Sequence, residues 1–240
     1  MPDTAPAPLP DATTAQRRVL LVAILASFVS FLDGSVVNVA LPAIAGDLVD
    51  GPLVGLSLQQ WVVDAYLLTL GALILLAGSL SDVLGRRRVL VAGLVGFAVA
   101  SVLCAIAPTG LLLVLARALQ GVAGALLVPS SLAMIIAAYS GAAQARAIGV
   151  WTAWTGTASI AGPLLGGLLV DHASWRWVFW INVPVLAVTL LLAQGVAPDA
   201  PPSRSRRIDV VGAVLAVVGL AGAVLALIEQ GRLGWTHPVV

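Results

Sequence analysis

The sequence predicts an all-α membrane protein: a six-helix bundle built as a 3+3 inverted repeat, followed by a seventh transmembrane helix. Three observations carry this prediction. Of 240 residues, 60% are apolar and only 10% charged, with a mean hydropathy of +1.06, whereas a soluble domain is about one quarter charged. Polar breaks cut the chain into seven apolar stretches, each long enough to cross about 30 Å of hydrocarbon as a helix. A short motif also recurs three spans apart, once at each side of the membrane.

The elements follow in order. Residues 1–18 form a cytoplasmic tail, and residues 19–195 hold six spans at 19–41, 58–79, 89–107, 111–138, 147–170 and 177–195. Residues 196–207, rich in Pro, Ser and Arg, are a cytoplasmic linker. The seventh span is 208–228, and 229–240 is an outer segment. Helices are favoured over a barrel because no short alternating segments occur. All twelve basic residues are arginine. With the N-terminus in the cytoplasm, nine lie inside (Arg17, Arg18, Arg86, Arg87, Arg88, Arg146, Arg204, Arg206, Arg207), while only Arg176 and Arg232 lie outside. That bias predicts a multi-pass cell-membrane protein with this orientation. Arg17 and Arg18 ahead of an apolar run also resemble a signal peptide, with Ala43-Ile44-Ala45 as a cleavage mimic. The length of the run, Asp33 within it and the six later spans favour a retained helix.

Composition excludes several classes. The absence of lysine rules out a Schiff-base photoreceptor, and a formal charge of +1 gives no field to recruit nucleic acid. Cys104 is the single cysteine, and His172 and His237 lie far apart, so neither a disulfide framework nor a metal site is expected. No Gly-x-Ser-x-Gly element and no histidine in a span point to an enzyme. No cofactor is implied.

Gly78-Ser79-Leu80-Ser81-Asp82 ends span two, and Gly167-Leu168-Leu169-Val170-Asp171 ends span five. Both fit Gly-x-Leu-x-Asp, and Arg86 and Arg176 follow them. Within the spans three ionisable residues stand out, Asp33, Asp64 and Arg117, because a charge at mid-membrane costs about 2.5–3.5 kcal/mol. At about 1.5 Å per residue, Asp33 lies roughly 12 Å from the outer end of its span, and Asp64 and Arg117 each lie roughly 9 Å in. The three share a depth that lets one aspartate pair with Arg117. Each belongs to a polar or small-residue face: Ser27, Ser30, Asp33, Gly34 and Asn38; Gln60, Asp64, Gly71 and Gly78; Arg117, Gln120, Gly121, Gly124 and Ser131. Two readings stand, a structural ion pair and a carboxylate that binds protons. In span five, Gly156, Gly162, Pro163, Gly166 and Gly167 predict a kink, a tight interhelical seal, or ordinary small-residue packing. Trp175, Trp177 and Trp180 read as interfacial anchors, as do Trp151 and Trp154.

These residues fall into motifs, and the chain resembles the N-terminal half of major facilitator superfamily drug:proton antiporters of the fourteen-helix branch. Asp33 to Pro42 resembles that branch's first-helix motif, and Gly78 to Arg88 the loop signature between helices two and three, with Val83 where a basic residue is usual. Arg117 to Gly124 is similar to the fourth-helix motif, and Gly162 to Gly167 to the antiporter motif, with Ala158 where a glycine is usual. Trp175 to Pro184 completes the set. The resemblance implies proton-coupled export of small hydrophobic or cationic compounds, as in multidrug and antibiotic efflux. It assigns proton coupling to Asp33 and Arg117, and substrate binding to Asp64, Asn38 and Gln120. Gating falls to Asp82, Gly85, Arg86, Gly162, Pro163, Gly166 and Gly167. The implied partners are the bilayer, protons and a small-molecule substrate. The chain stops at His237-Pro238-Val239-Val240, where an eighth helix is expected, so a C-terminal half is expected to be missing. A non-transporting remnant, or a subunit needing a partner half, is the competing expectation.

Overall fold

The computed structural model describes residues 12–197 and scattered positions between 212 and 226. Helices α1 (Thr14–Asp47), α2 (Gly55–Leu84), α3 (Arg86–Ala105), α4 (Gly110–Ala138) and α5 (Gly141–His172) are followed by a short α6 (Trp177–Trp180) and by α7 (Asn182–Gln194). Counting α6 and α7 as one span, six helices among the described residues are long and apolar enough to cross a membrane. The predicted seventh span, 208–228, lies outside the described residues except at isolated helical positions such as Val214, Leu215 and Ala223. Most of the predicted linker and the predicted outer segment lie outside them as well.

α1, α2 and α5 outrun the predicted spans at both ends, because hydropathy marks only the oily portion of each. The predicted tail already contains the first turn of α1. Thr13 accepts from the Gln16 amide at 3.2 Å, and Gln16 Oε1 accepts from the Thr13 amide at 2.9 Å, which closes a capping box. Pro42, Pro129 and Pro163 all lie inside helices, as membrane bundles tolerate. α5 therefore continues as one helix through Pro163. Between α2 and α3 the chain turns at Gly85 alone, with φ +94°, a conformation other L residues rarely adopt. Its N–H donates to Ser81 O, and its carbonyl accepts from Val89 N, both at 3.1 Å.

The packing obeys the predicted repeat. α1 lies along α5, and α4 lies along α2; exchanging the first three helices with the second three maps one pairing onto the other. α3 packs on α4, and α7 packs on α1 and α3. The core forms two apolar layers. One gathers Val36, Val37, Ile44, Leu58, Leu113 and Phe179 toward the Arg176 end. The other gathers Val29, Leu90, Leu94, Phe97, Leu127 and Leu186 toward the Arg86 end. The residues between these sets along α1, α3, α4 and α7 are Asp33, Ser101, Arg117, Gln120 and Asn182, all buried.

Glycines fix the spacing of the two main pairs. A Cβ at Gly121 would strike the Tyr66 carbonyl and Thr69 Oγ1 on α2. One at Gly162 would strike the Ser35 side chain, and one at Gly166 would come within 2.9 Å of Val36 O on α1. Gly156 and Gly167 meet nothing within 4 Å. We expect Gly121→Ala to lower stability by about 1–3 kcal/mol through overpacking. Gly156→Ala, in open space on a helix, is expected to be neutral or to gain about 0.5–1 kcal/mol. Thermal unfolding of both variants in detergent checks the contrast.

Candidate functional site

Asp33 and Arg117 are 0% and 1% exposed and form an ion pair through Arg117 Nη1 and Asp33 Oδ2. A lone charge in such a place would be neutralised or expelled, so the two groups need partners beyond each other: α2, α4 and α7 supply them directly, and α3 braces Gln120. From α4, Gln120 Nε2 donates to Asp33 Oδ1 at 2.9 Å, and Gln120 Oε1 accepts from Arg117 Nη1 at 2.7 Å. From α7, Asn182 Nδ2 donates to the same Asp33 oxygen at 2.8 Å. From α3, Ser101 Oγ accepts from Gln120 at 3.0 Å, and Cys104 Sγ donates weakly to Gln120 Oε1 at 3.5 Å. From α2, Val62 O accepts from Arg117 Nε at 3.0 Å.

Two aromatic faces complete the enclosure. The guanidinium carbon stands 4.3 Å from the centroid of Tyr66 and 5.9 Å from that of Phe179, close enough for cation–π attraction. Tyr66 is held in turn, its hydroxyl donating to Ser30 O at 3.1 Å and lying 2.9 Å from Ser30 Oγ. Arg117 therefore keeps partners besides Asp33, and Asp33 receives donors only.

The structure brings together two of the three predicted membrane charges and separates the third. Asp64 is half-buried on another face of α2, and no hydrogen bond or ion pair among the described residues reaches it. Its predicted depth matches that of Arg117, but its direction around the helix does not. Of the residues assigned to substrate binding, Asn38 is exposed and donates to Gly34 O at 2.9 Å. Gln120 is wholly enclosed and engaged with Asp33 and Arg117.

The residues assigned to gating divide similarly. Asp82 is exposed at the Arg86 end. Arg86 lines a cavity of about 470 Å³ there with Gln16, Val19, Met134 and Val196. Its neighbour Arg87, given no role from sequence, ties α3 to the end of α7 by donating to Ala193 O at 3.0 Å and Gln194 O at 3.3 Å. Gly162 and Gly166 form the α1–α5 seam directly beyond Asp33, with Ser35 Oγ donating to Ser159 O at 2.9 Å. Pro163 is exposed, and Gly167 faces open space.

At the opposite end, Arg176 pairs at 2.7 Å with Asp47 rather than with the motif residue Asp171. Trp175 is corrected from interfacial anchor to core residue. It is 4% exposed, donates to Asp47 Oδ2 at 3.0 Å, and lies under the Arg176 guanidinium at 4.2 Å. Trp151 likewise turns inward, donating to Ser27 Oγ at 3.1 Å. Trp177 and Trp154 are exposed, and Trp180 packs against the core.

Sequence reasoning missed Asn182 as a member of the site. An amide five residues into an apolar span is the available signal. It was obscured because the residue lies near the predicted span end, within reach of the interface.

A polar layer sealed between two apolar layers defines a multi-span helical membrane domain. A sequence profile of the Major Facilitator Superfamily matches residues 23–236, and the chain belongs to that family. The family and the apolar helices place it in a membrane. It is 38% identical to the methylenomycin A resistance protein of Bacillus subtilis, across 92% of this chain and 47% of the relative. It is 40% identical to the puromycin resistance protein of Streptomyces alboniger, across 92% and 43%. It is also 40% identical to the multidrug efflux pump LfrA of Mycolicibacterium smegmatis, across 87% and 39%. The chain thus spans less than half the length of these relatives. The fold also matches a peptide transporter crystal structure (an E310Q mutant with sulfate), with a TM-score of 0.62 over 91% of this chain and 47% of that one, at 16% identity.

Removing Arg117 while keeping Asp33 leaves a buried carboxylate without its cation. Arg117→Met is expected to cost about 3–5 kcal/mol. Adding Asp33→Asn to Arg117→Met is expected to recover part of that loss. Unfolding midpoints of the two proteins in detergent test this.

Proposed function

We propose that this chain is the proton-coupling half of an antiporter that exports small hydrophobic or cationic compounds in exchange for protons. The observation that carries the reading is the fully buried Asp33–Arg117 pair within a membrane bundle. In the form described, the carboxylate cancels the guanidinium. A proton taken up by Asp33 cancels the carboxylate instead and leaves a net positive charge beside Tyr66 and Phe179. Arg117 remains in place through Val62 O, Gln120 and the two rings. That charge disfavours a cationic cargo nearby, so proton and cargo compete, and by linkage each weakens the other's binding. A proton crossing 100 mV supplies about 2.3 kcal/mol toward uphill export.

Asp64 is the carboxylate we assign to cation recognition, since its half-buried group is outside the network. Asn38, exposed on α1, lies beside the route, and Gln120 acts through Asp33 rather than on cargo. The Gly162–Gly166 seam against α1 limits proton leak past Asp33. Asp82, Gly85, Arg86 and Pro163 are assigned to gating. With the N-terminus cytoplasmic, the Arg86 end faces inward in the cell membrane. Thr152, Gly156, Thr157 and Ser159 make an exposed, weakly apolar face on α5. That face and the greater length of the relatives support a second helical half opposite this one.

In the intact protein reconstituted in vesicles, Asp33→Asn is expected to reduce export driven by a pH gradient to below about one tenth, at least roughly 1.4 kcal/mol of coupling. Asp64→Asn is expected to weaken binding of cationic compounds by about 1 kcal/mol, roughly fivefold, and to spare neutral ones. Flux and equilibrium binding measure the two effects, and full export by Asp33→Asn contradicts the reading.

A further inference from the structure

Asn182 differs from the other groups that hold Asp33. Gln120 uses both ends of its amide: Oε1 accepts from Arg117 and Cys104, and Nε2 donates to Asp33 and Ser101. Asn182 uses one end. Its Nδ2 donates to Asp33 Oδ1 at 2.8 Å and, at 3.4 Å, to Ser101 Oγ. Its Oδ1 is buried and has no partner. A buried carbonyl oxygen left unpaired is costly, and such exceptions call for a physical reason.

Proton chemistry supplies the reason. A carboxylate only accepts hydrogen bonds, whereas a carboxylic acid must also donate one. Each side chain bonded to Asp33 in the network, Arg117, Gln120 and Asn182, donates to it. Arg117 has no acceptor atom, and the Gln120 oxygen is already occupied by Arg117. Asn182 Oδ1 is the free acceptor on a group already touching Asp33. A half-turn of the amide about its Cβ–Cγ bond exchanges N–H for C=O at the carboxyl. Ser101 Oγ, which only accepts in this arrangement, can then donate to the same oxygen.

We propose that Asn182 is a two-state positioning residue for Asp33: its amide N–H holds the carboxylate, and its carbonyl oxygen takes the O–H of the protonated acid. The proton comes from hydronium: one of its O–H bonds breaks, leaving water, as the O–H bond on Asp33 forms, and no other covalent bond changes. The proposal rests on the proton-carrying role of Asp33. The titratable groups facing Asp33 are Arg117 from α4, Tyr66 from α2 and Cys104 from α3. The groups facing it from α1 and α7 are neutral amides and hydroxyls, and α5 meets α1 through Gly162, Gly166 and Ser159.

The test is difference infrared spectroscopy of the intact protein in lipid vesicles, recorded between alkaline and acidic pH. Asp33→Asn identifies the carboxyl C=O band of protonated Asp33 by removing it. In the parent this band is expected at the lowered wavenumber of an acid whose O–H is hydrogen-bonded. Asn182→Val is expected to move it up to the position of an unbonded acid and to shift its pH profile. Asn182→Thr, matched in shape to valine but carrying a hydroxyl, is expected to return the band part of the way. A parent band already at the unbonded position overturns the proposal without recourse to any variant. A band unmoved in Asn182→Val overturns it as well, with Asp33 as proton carrier left standing. A pH difference spectrum unchanged by Asp33→Asn overturns the proton-carrying role, and this proposal with it.

Discussion

Taking a carboxylate and a guanidinium out of water costs several kcal/mol for each ion, and mutual attraction repays this only when every remaining polar atom is satisfied. That demand organises the bundle around Asp33 and Arg117. α1 brings the acid, α4 the base and Gln120, α7 Asn182, α3 Ser101, and α2 the Val62 carbonyl and the face of Tyr66. Sliding α1 or α4 by a turn would orphan a charge, and sliding α2, α3 or α7 would break a hydrogen bond that supports the pair. The apolar layers on either side keep water out, and this strengthens the pair electrostatically.

Close approach of the helices is the second requirement, and glycine meets it. Gly121 lets α4 settle on the backbone of α2, while Gly162 and Gly166 let α5 settle on α1. The two seams occupy related positions when the triplets of helices are exchanged, so the inverted repeat is a repeat of packing as well as of motif. One carries the arginine helix, and the other carries the aspartate helix.

Much of this could be read from residue type and spacing. Apolar runs locate the spans, and a charge inside such a run marks Asp33 and Arg117. Direction around a helix is harder, because a small error in phase accumulates over a long helix and turns a side chain to another face. Asp64 and Asp33 look alike by depth, yet only Asp33 points at Arg117. Gly162 and Gly167 look alike in sequence, yet only Gly162 meets a neighbour. Trp175 lies where an interfacial anchor belongs, and what turns it inward is a partner far away in sequence, Asp47. Asn182 escaped because it lies near a predicted span end, and its partner Asp33 is 149 positions away as well.

A pair that both holds helices together and carries a proton must be breakable by that proton while the bundle survives. Arg117 has other anchors and Asn182 a spare acceptor, so neutral Asp33 leaves no loose cation, and its own O–H finds an acceptor. The most direct measurement is proton release when a cationic cargo binds to the intact protein in weakly buffered detergent. The account predicts release at acidic pH from the parent protein and none from Asp33→Asn. Equal release from both would contradict it.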